Sequence, residues 1–283
     1  LKIQDSVVNK TPTIAFIGVG NMARAILEGL LADGYPADRL WVTARHVDKL
    51  ADLAARGLHA SADNDAAIRA ADIVVLAVKP QGMQALGEAH RDAVQARKPL
   101  LISVAAGISA AALEQWFGGE LAVVRCMPNT PSLVQCGASG LYANARVSDA
   151  QRAQTEAILA AVGMTLWVEQ EAQIDAVTAV SGSGPAYYFL FMEAMARAGE
   201  ALGLDADTAL KLTLQTALGA ARMASESELT PAQLRAQVTS PKGTTEQAIL
   251  SFQQQGLEAT VLQAMQACKA RAQALSDELC NQD

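Results

Sequence analysis

Thr13-Ile14-Ala15-Phe16-Ile17 runs directly into Gly18-Val19-Gly20-Asn21-Met22-Ala23. The first five residues read as a short buried strand, and the glycines break it. A helical pattern follows, with Met22, Ile26, Leu27, Leu30 and Leu31 on one face. A strand that turns through Gly-x-Gly-x-x-Ala into a helix is the opening of a dinucleotide-binding βαβ unit. Gly18 permits the tight turn, Gly20 lets the backbone approach a pyrophosphate, and Ala23 allows close helix–strand packing. The helix N-terminus adds free N–H groups and a positive dipole end. The other reading is a glycine turn in an ordinary βαβ unit; the strand before it and the helix after it favour the nucleotide.

Further strands are predicted over 40–43, 72–78, 100–104 and 122–125. The 72–78 run is apolar on both faces, as a central parallel strand should be. Helices over 47–56, 81–94 and 109–117 alternate with them, which argues a parallel, doubly wound sheet with right-handed crossovers. Weaker β signals lie at 138–143 and 164–168, with a helix over 149–161 between. From about residue 170 the periodicity is almost wholly helical, with helices predicted over 185–202, 205–225, 230–238, 244–255 and 257–279. The expected fold is α/β: a disordered tail over 1–12, a Rossmann-type NADP-binding domain over 13–170, and an all-α dimerisation and substrate domain over 171–283. The apolar faces of its helices exceed what a lone appendage would bury, so a homodimer is expected.

Composition narrows the function classes. Of 283 residues, 51% are hydrophobic and 18% charged, which excludes disorder for most of the chain. The net charge is −7 and the bases are scattered; a nucleic-acid binder would carry a positive stripe. Residues 1–10 lack the apolar core of a signal peptide and no stretch reads as a membrane span, so a cytoplasmic protein is expected. Cys126, Cys136, Cys268 and Cys280 form no Cys-x-x-Cys pair and have no histidine at metal-ligand spacing. Free buried thiols and no metal are expected.

The choice of dinucleotide turns on the second strand, which ends Thr43-Ala44-Arg45. An NAD site usually places Asp or Glu at that tip to bind the ribose diol. Here Arg45 is placed to pair with a 2′-phosphate, with Lys49 one helical turn beyond; otherwise Arg45 is a solvated loop residue. NADPH is therefore the expected cofactor and NADH the alternative. Val78-Lys79-Pro80 follows the 72–78 strand at its carboxyl end, where ligands of such sheets sit. Met127-Pro128-Asn129-Thr130-Pro131 occupies the equivalent edge after the next-but-one strand, with Asn129 and Thr130 expected to face the nicotinamide. Asn64, read as loop, is expected on the adenosine side.

Two segments of the helical half say more. Ser181-Gly182-Ser183-Gly184-Pro185-Ala186-Tyr187 opens one long apolar helix, and Val238-Thr239-Ser240-Pro241-Lys242-Gly243-Thr244-Thr245-Glu246 leads into another. With the glycine fingerprint and the 127–131 loop, these blocks closely resemble the pyrroline-5-carboxylate reductase family, from about residue 13 to residue 275 and in the expected order. The resemblance implies reduction of 1-pyrroline-5-carboxylate to L-proline, the last step of proline biosynthesis. It implies that Thr245 bonds the ring nitrogen, that N–H groups around Gly243–Thr245 hold the carboxylate, and that Ser240 lines the same pocket. It also implies an active site shared between one chain's nucleotide domain and its partner's helices, in dimers that some members build into decamers.

Physical reasoning fits. Both segments set Gly, Ser and Thr before helix N-termini, where N–H groups and hydroxyls form an anion site without an arginine clamp. A well-made helix cap is the plainer reading, but a cap needs one Ser or Thr, not the succession Ser181, Gly182, Ser183, Gly184. Only His46, His59 and His90 are present, none in a motif block. A carbonyl reductase usually needs such a donor; a cyclic imine can be protonated before hydride arrives. One departure stands out. The family often has two glycines after Ser-Pro, and here the first is Lys242, a residue ill suited to positive φ. Either the position needs no such conformation or the loop differs, and Lys242 could also add charge near the carboxylate.

The sequence leaves two rival readings. A β-hydroxyacid dehydrogenase would show a catalytic lysine on a long helix of the second half, and 185–203 contains none. A non-catalytic NADP sensor would need the first site but not the 238–246 pocket.

Overall fold

The computed structural model describes residues 11–280. The expected tail therefore lies outside the described residues from 1 to 10. Eight strands form one sheet: β1 (Ile14–Ile17), β2 (Leu40–Thr43), β3 (His59–Ser61), β4 (Ile73–Leu76), β5 (Leu100–Ser103), β6 (Val123–Met127), β7 (Gly137–Ala143) and β8 (Gly163–Trp167). Their order is β3-β2-β1-β4-β5-β6-β7-β8. The first six are mutually parallel, β7 runs antiparallel to β6, and β8 runs parallel to β7. Strand order reverses between β1 and β4, and a crevice opens at the carboxyl ends of such a switch point. Ile17 is in register with both Thr43 and Leu76, so the residues just past β1, β2 and β4 share one edge.

Helices α1 (Asn21–Ala32), α2 (Ala51–Ala55), α3 (Asn64–Ala70), α4 (Met83–Ala89), α5 (Arg91–Arg97), α6 (Ala110–Trp116), α7 (Asp149–Ala160) and α8 (Gln173–Val177) belong with the sheet. Strand alternation explains how both faces are filled. Ile14 and Phe16 of β1 point into a core with Ile26, Leu27 and Leu30 of α1 and Ile158 of α7. Ala15 and Ile17 point the other way, into a core with Ile68 of α3, Val94 of α5 and Leu113 of α6. Each large side chain so buried contributes about 1.5–3 kcal/mol.

The remaining helices are α9 (Gly184–Ala201), α10 (Ala206–Glu226), α11 (Pro231–Gln237), α12 (Thr244–Gln254) and α13 (Leu257–Cys280). The chain divides into two compact units, one of residues up to 182 with 269 onward, the other of residues 183–268. In the second, α9 and α10 pack closely where a Cβ on Gly199 would stand 3.0 Å from the Ala209 Cβ. Tyr188, Phe189 and Leu190 of α9 and Leu212, Leu214 and Leu218 of α10 are all exposed apolar side chains.

Several local features differ from expectation. The 40–43 strand and the helices of the second half stand within a residue or so of where periodicity puts them, but β3 and α3 carry no such signal. The helix predicted over 81–94 is two, α4 and α5, broken at His90. The change to helical periodicity near 170 and the division between compact units do not coincide. α8 and the π-helical turn that follows it, Thr178–Gly182, are helical yet belong with the sheet. The thiols are free, but Cys126 alone is buried; Cys268 and Cys280 are half-buried and Cys136 is exposed. Among the described residues no helix is long and apolar enough to cross a membrane.

Candidate functional site

The turn after β1 is built as its glycines require. Gly18 has φ +85, and a Cβ there would lie 2.9 Å from Val78 Cγ1 and 3.2 Å from the Ala77 carbonyl oxygen. Its N–H donates to the Thr43 carbonyl at 3.2 Å, tying the loops after β1, β2 and β4 together. Gly20 is the N-cap of α1; it has no side chain to cap the helix, and the space where its Cβ would stand is empty. No acidic residue lies in the first turn of α1. Val19 and Met22 pack down on the core, Ala23 is buried, and Asn21 is exposed. Uncapped N–H groups, an open approach and no repelling carboxylate fit the pyrophosphate of a dinucleotide.

Around this turn, the Ala44 N–H donates to the Ser61 carbonyl at 3.3 Å. Arg45 and Lys49 are exposed, and the Arg45 guanidinium has no ion pair among the described residues. Val78 and Pro80 are half-buried and Lys79 is exposed, at the start of a 3₁₀ turn, Pro80–Gly82. Asn64 is not in a loop: it is the first residue of α3, whose N-cap is Asp63, with Asp63 Oδ1 accepting from the Ala66 N–H at 3.0 Å. The loop expectation failed because β3 and α3 are set by pairing with β2 and packing against α5, not by local periodicity.

Asn129 is buried and holds other parts of the chain. Its Nδ2 donates to the Ser181 carbonyl at 3.0 Å and its Oδ1 accepts from the Ala138 N–H at 2.9 Å. The Ser181 hydroxyl donates to the Val177 carbonyl at 3.1 Å within the π-helical turn, a distortion often found at functional sites. Gly182 lies against Met127: a Cβ there would stand 2.6 Å from Met127 Cε, a contact the methionine could relieve by moving its terminal methyl. Beside this turn an apolar groove of about 440 Å³ is walled by Met164, Leu166, Val177 and Val180.

In the second unit, Ser183 precedes α9 without capping it, Pro185 lies in the first turn, and open space surrounds the Cα of Gly184. The Cys268 thiol donates to Ser183 Oγ at 3.3 Å. The Tyr187 hydroxyl is buried without a partner of good geometry beside both; burial, then the Cys268 thiol, pushes its pKa up. Cys268 carries no signal of a site neighbour in the sequence, whereas Tyr187 closes the 181–187 block with no role assigned to it there.

The 238–246 turn resolves the question raised by Lys242. Its φ is +59, so this position does adopt the left-handed conformation that favours glycine. Its N–H donates to Glu246 Oε2 at 2.7 Å. Gly243 donates to the Ser240 carbonyl at 3.0 Å, and a Cβ on Gly243 would come within 2.9 Å of that oxygen. Gly243 is the N-cap of α12 and offers no side chain to it. Thr244 and Thr245 form the first turn, exposed, with Ser240 nearby in the same loop. Among the described residues no three His, Cys, Asp or Glu side chains are grouped to hold a metal.

A sheet with its glycine turn at the switch point, in a chain whose helices α9 and α12 begin without a side-chain cap, is the frame of a dinucleotide-dependent oxidoreductase of a small anionic substrate. A family model described as pyrroline-5-carboxylate reductase dimerisation matches residues 171–275, and one described as NADP oxidoreductase, coenzyme F420-dependent, matches residues 13–107. The chain is 54% identical to a pyrroline-5-carboxylate reductase of Pseudomonas aeruginosa over 95% of its own length and 98% of that protein's. The structure of a Coxiella burnetii pyrroline-5-carboxylate reductase superposes with a TM-score of 0.91 at 48% identity, covering 94% of this chain and 99% of that one. A Plasmodium falciparum pyrroline carboxylate reductase with NADP bound gives 0.81 at 28% identity, covering 94% and 98%. The chain belongs to the pyrroline-5-carboxylate reductase family.

Proposed function

We propose that the protein reduces 1-pyrroline-5-carboxylate to L-proline with NADPH, as the last step of L-proline biosynthesis. The observation that carries this reading is the uncapped N-terminus of α12, with Gly243 at the cap and Thr244 and Thr245 in its first turn. Its N–H groups and dipole hold the substrate carboxylate, with Ser181, Gly182, Ser183, Gly184 and Lys242 as further substrate contacts. Thr245 is the residue that bonds the ring nitrogen, and Ser240 lines the same pocket. The ring nitrogen is protonated before transfer, so the substrate brings its own activating charge and needs neither a histidine donor nor a metal.

On the cofactor side, the N–H groups past Gly18 and Gly20, with Val19, Asn21 and Met22, cradle the pyrophosphate. Ala44 and Arg45 take the 2′-phosphate side, Asn64 the adenosine, and Val78, Lys79, Pro80 and Asn129 the nicotinamide half. When bound, the reduced nicotinamide supplies the hydride for the imine carbon. The chain contributes position, which can account for much of the rate of such a transfer. NADH is the alternative donor. The protein works as a dimer in the cytoplasm, with a decamer as the higher assembly.

The test is NADPH oxidation with 1-pyrroline-5-carboxylate as acceptor. Folded protein with no rate above background defeats the proposal. Thr245→Ala should bind NADPH normally and lose turnover by about a hundredfold, in the range of a lost catalytic hydrogen bond. Arg45→Ala should lower the NADPH-over-NADH ratio of kcat/KM by about tenfold; an unchanged ratio removes that assignment.

A further inference from the structure

His90 stands at the break between α4 and α5, closing one helix and preceding the other. Both ring nitrogens are engaged by consecutive residues of the first turn of α3. Nδ1 lies 2.7 Å from Asp65 Oδ1, and Nε2 lies 3.2 Å from Asn64 Nδ2. A carboxylate oxygen only accepts, so Nδ1 carries the hydrogen. In the neutral ring Nε2 is then an acceptor, and the Asn64 carboxamide must turn its N–H toward it. The Asn64 amide oxygen is thereby aimed away from the ring, and it has no hydrogen-bond partner among the described residues. Asn64 lies just past the carboxyl end of β3, where this sheet presents Gly18, Ala44 and Lys79 after its other strands.

We propose that His90 is a positioning residue of the cofactor site. Anchored by Asp65, it fixes the Asn64 amide so that the oxygen is offered as an acceptor to a ribose hydroxyl on the adenosine half of the dinucleotide. The break in the helix at residue 90 is what lets the imidazole reach α3. The inference rests on the reading of Asn64 as a cofactor contact, and the two can fail separately.

The test is the steady-state kinetics of the full-length protein with NADPH. Asn64→Ala should raise KM for NADPH about tenfold with kcat unchanged at saturating cofactor, as for one lost hydrogen bond. His90→Leu should raise it by a similar factor, again with kcat kept. His90→Gln, whose amide oxygen can replace Nε2 as acceptor, should return KM to within about twofold of wild type. The double variant Asn64→Ala, His90→Leu should be no worse than Asn64→Ala alone, because His90 acts through Asn64. A raised KM for Asn64→Ala with a wild-type KM for His90→Leu overturns the positioning role alone. So does a His90→Leu variant that loses only kcat, the mark of a folding defect. A wild-type KM for Asn64→Ala overturns the cofactor reading of Asn64 and the role of His90 with it.

Discussion

Asn129 and Ser181, one in the loop after β6 and the other in the π-helical turn, are joined by a 3.0 Å bond from the buried amide to the serine carbonyl. The same amide takes the Ala138 N–H at 2.9 Å. Asn129→Leu would leave both half-buried partners without the amide, at a cost of up to about 1–3 kcal/mol each. The expected result is a loss of about 2–4 kcal/mol in urea unfolding, since two such groups are orphaned and the site can relax. A loss below about 0.5 kcal/mol would mean that the bond does not hold the turn.

Gly18 and Gly20 should respond differently to alanine. At Gly18 the new methyl meets Val78 at positive φ, so Gly18→Ala should lose stability by about 1–3 kcal/mol as well as cofactor binding. At Gly20 the φ is −89 and the space is open. Gly20→Ala should keep its melting temperature and still bind NADPH about tenfold more weakly, since the methyl stands where the pyrophosphate approaches. Equal stability losses in the two variants would contradict this division of roles.

Lys242 at φ +59 carries a conformational cost of roughly 1–2 kcal/mol that glycine would not. Lys242→Gly should therefore raise the unfolding free energy, by about 1 kcal/mol once glycine's greater freedom in the unfolded chain is subtracted. If the lysine also holds the substrate carboxylate, KM for 1-pyrroline-5-carboxylate rises in the same variant. An equal or lower KM removes that binding role.

Alkaline pH should weaken the fold through protons held on buried groups, two of them on Cys126 and Tyr35. Burial pushes the Cys126 thiol from 9.0 up to about 12, with a Ser139 hydrogen bond opposing it. Tyr35, whose hydroxyl donates to the Pro12 carbonyl, is pushed from 10.0 up to about 12, chiefly by burial. Between the ordinary and raised values the folded state keeps a proton that the unfolded state releases. Stability is thus full below pH 9 and falls as pH rises toward 12. The slope is about 1.4 kcal/mol per pH unit for each proton. Urea unfolding of Cys126→Ala should be flatter between pH 9 and 10 than wild type; the same slope in both would show that the buried thiol is not the source.

The sheet was legible because β1, β2, β4, β5 and β6 are short, mostly buried runs rich in Ile, Val and Leu that alternate with helical patterns. His59-Ala60-Ser61 has no such pattern; it is a strand because Trp41 and Thr43 of β2 stand in register with it, a fact of tertiary pairing. The glycine turn announced itself by sterics that one residue type can satisfy. The 127–131 loop marks Asn129 by its place at the sheet edge, but nothing local spells its bond to a carbonyl 52 residues away. His90 ends a helix without Gly or Pro, so only its partners on α3 explain the break. At Lys242 the sequence posed the right question, and the backbone angle answered it.

The apolar faces of α9 and α10, with Phe189 and Leu190 at 63% and 67% exposure in a single copy, have a consequence outside the crevice. If self-association through the dimerisation domain covers this surface, a newly made chain carries it bare only until it meets another copy. Its persistence in the folded form is then tied to how many copies are present, so dilution itself acts as a denaturant. The cell's level of this protein becomes one of the terms that set its stability.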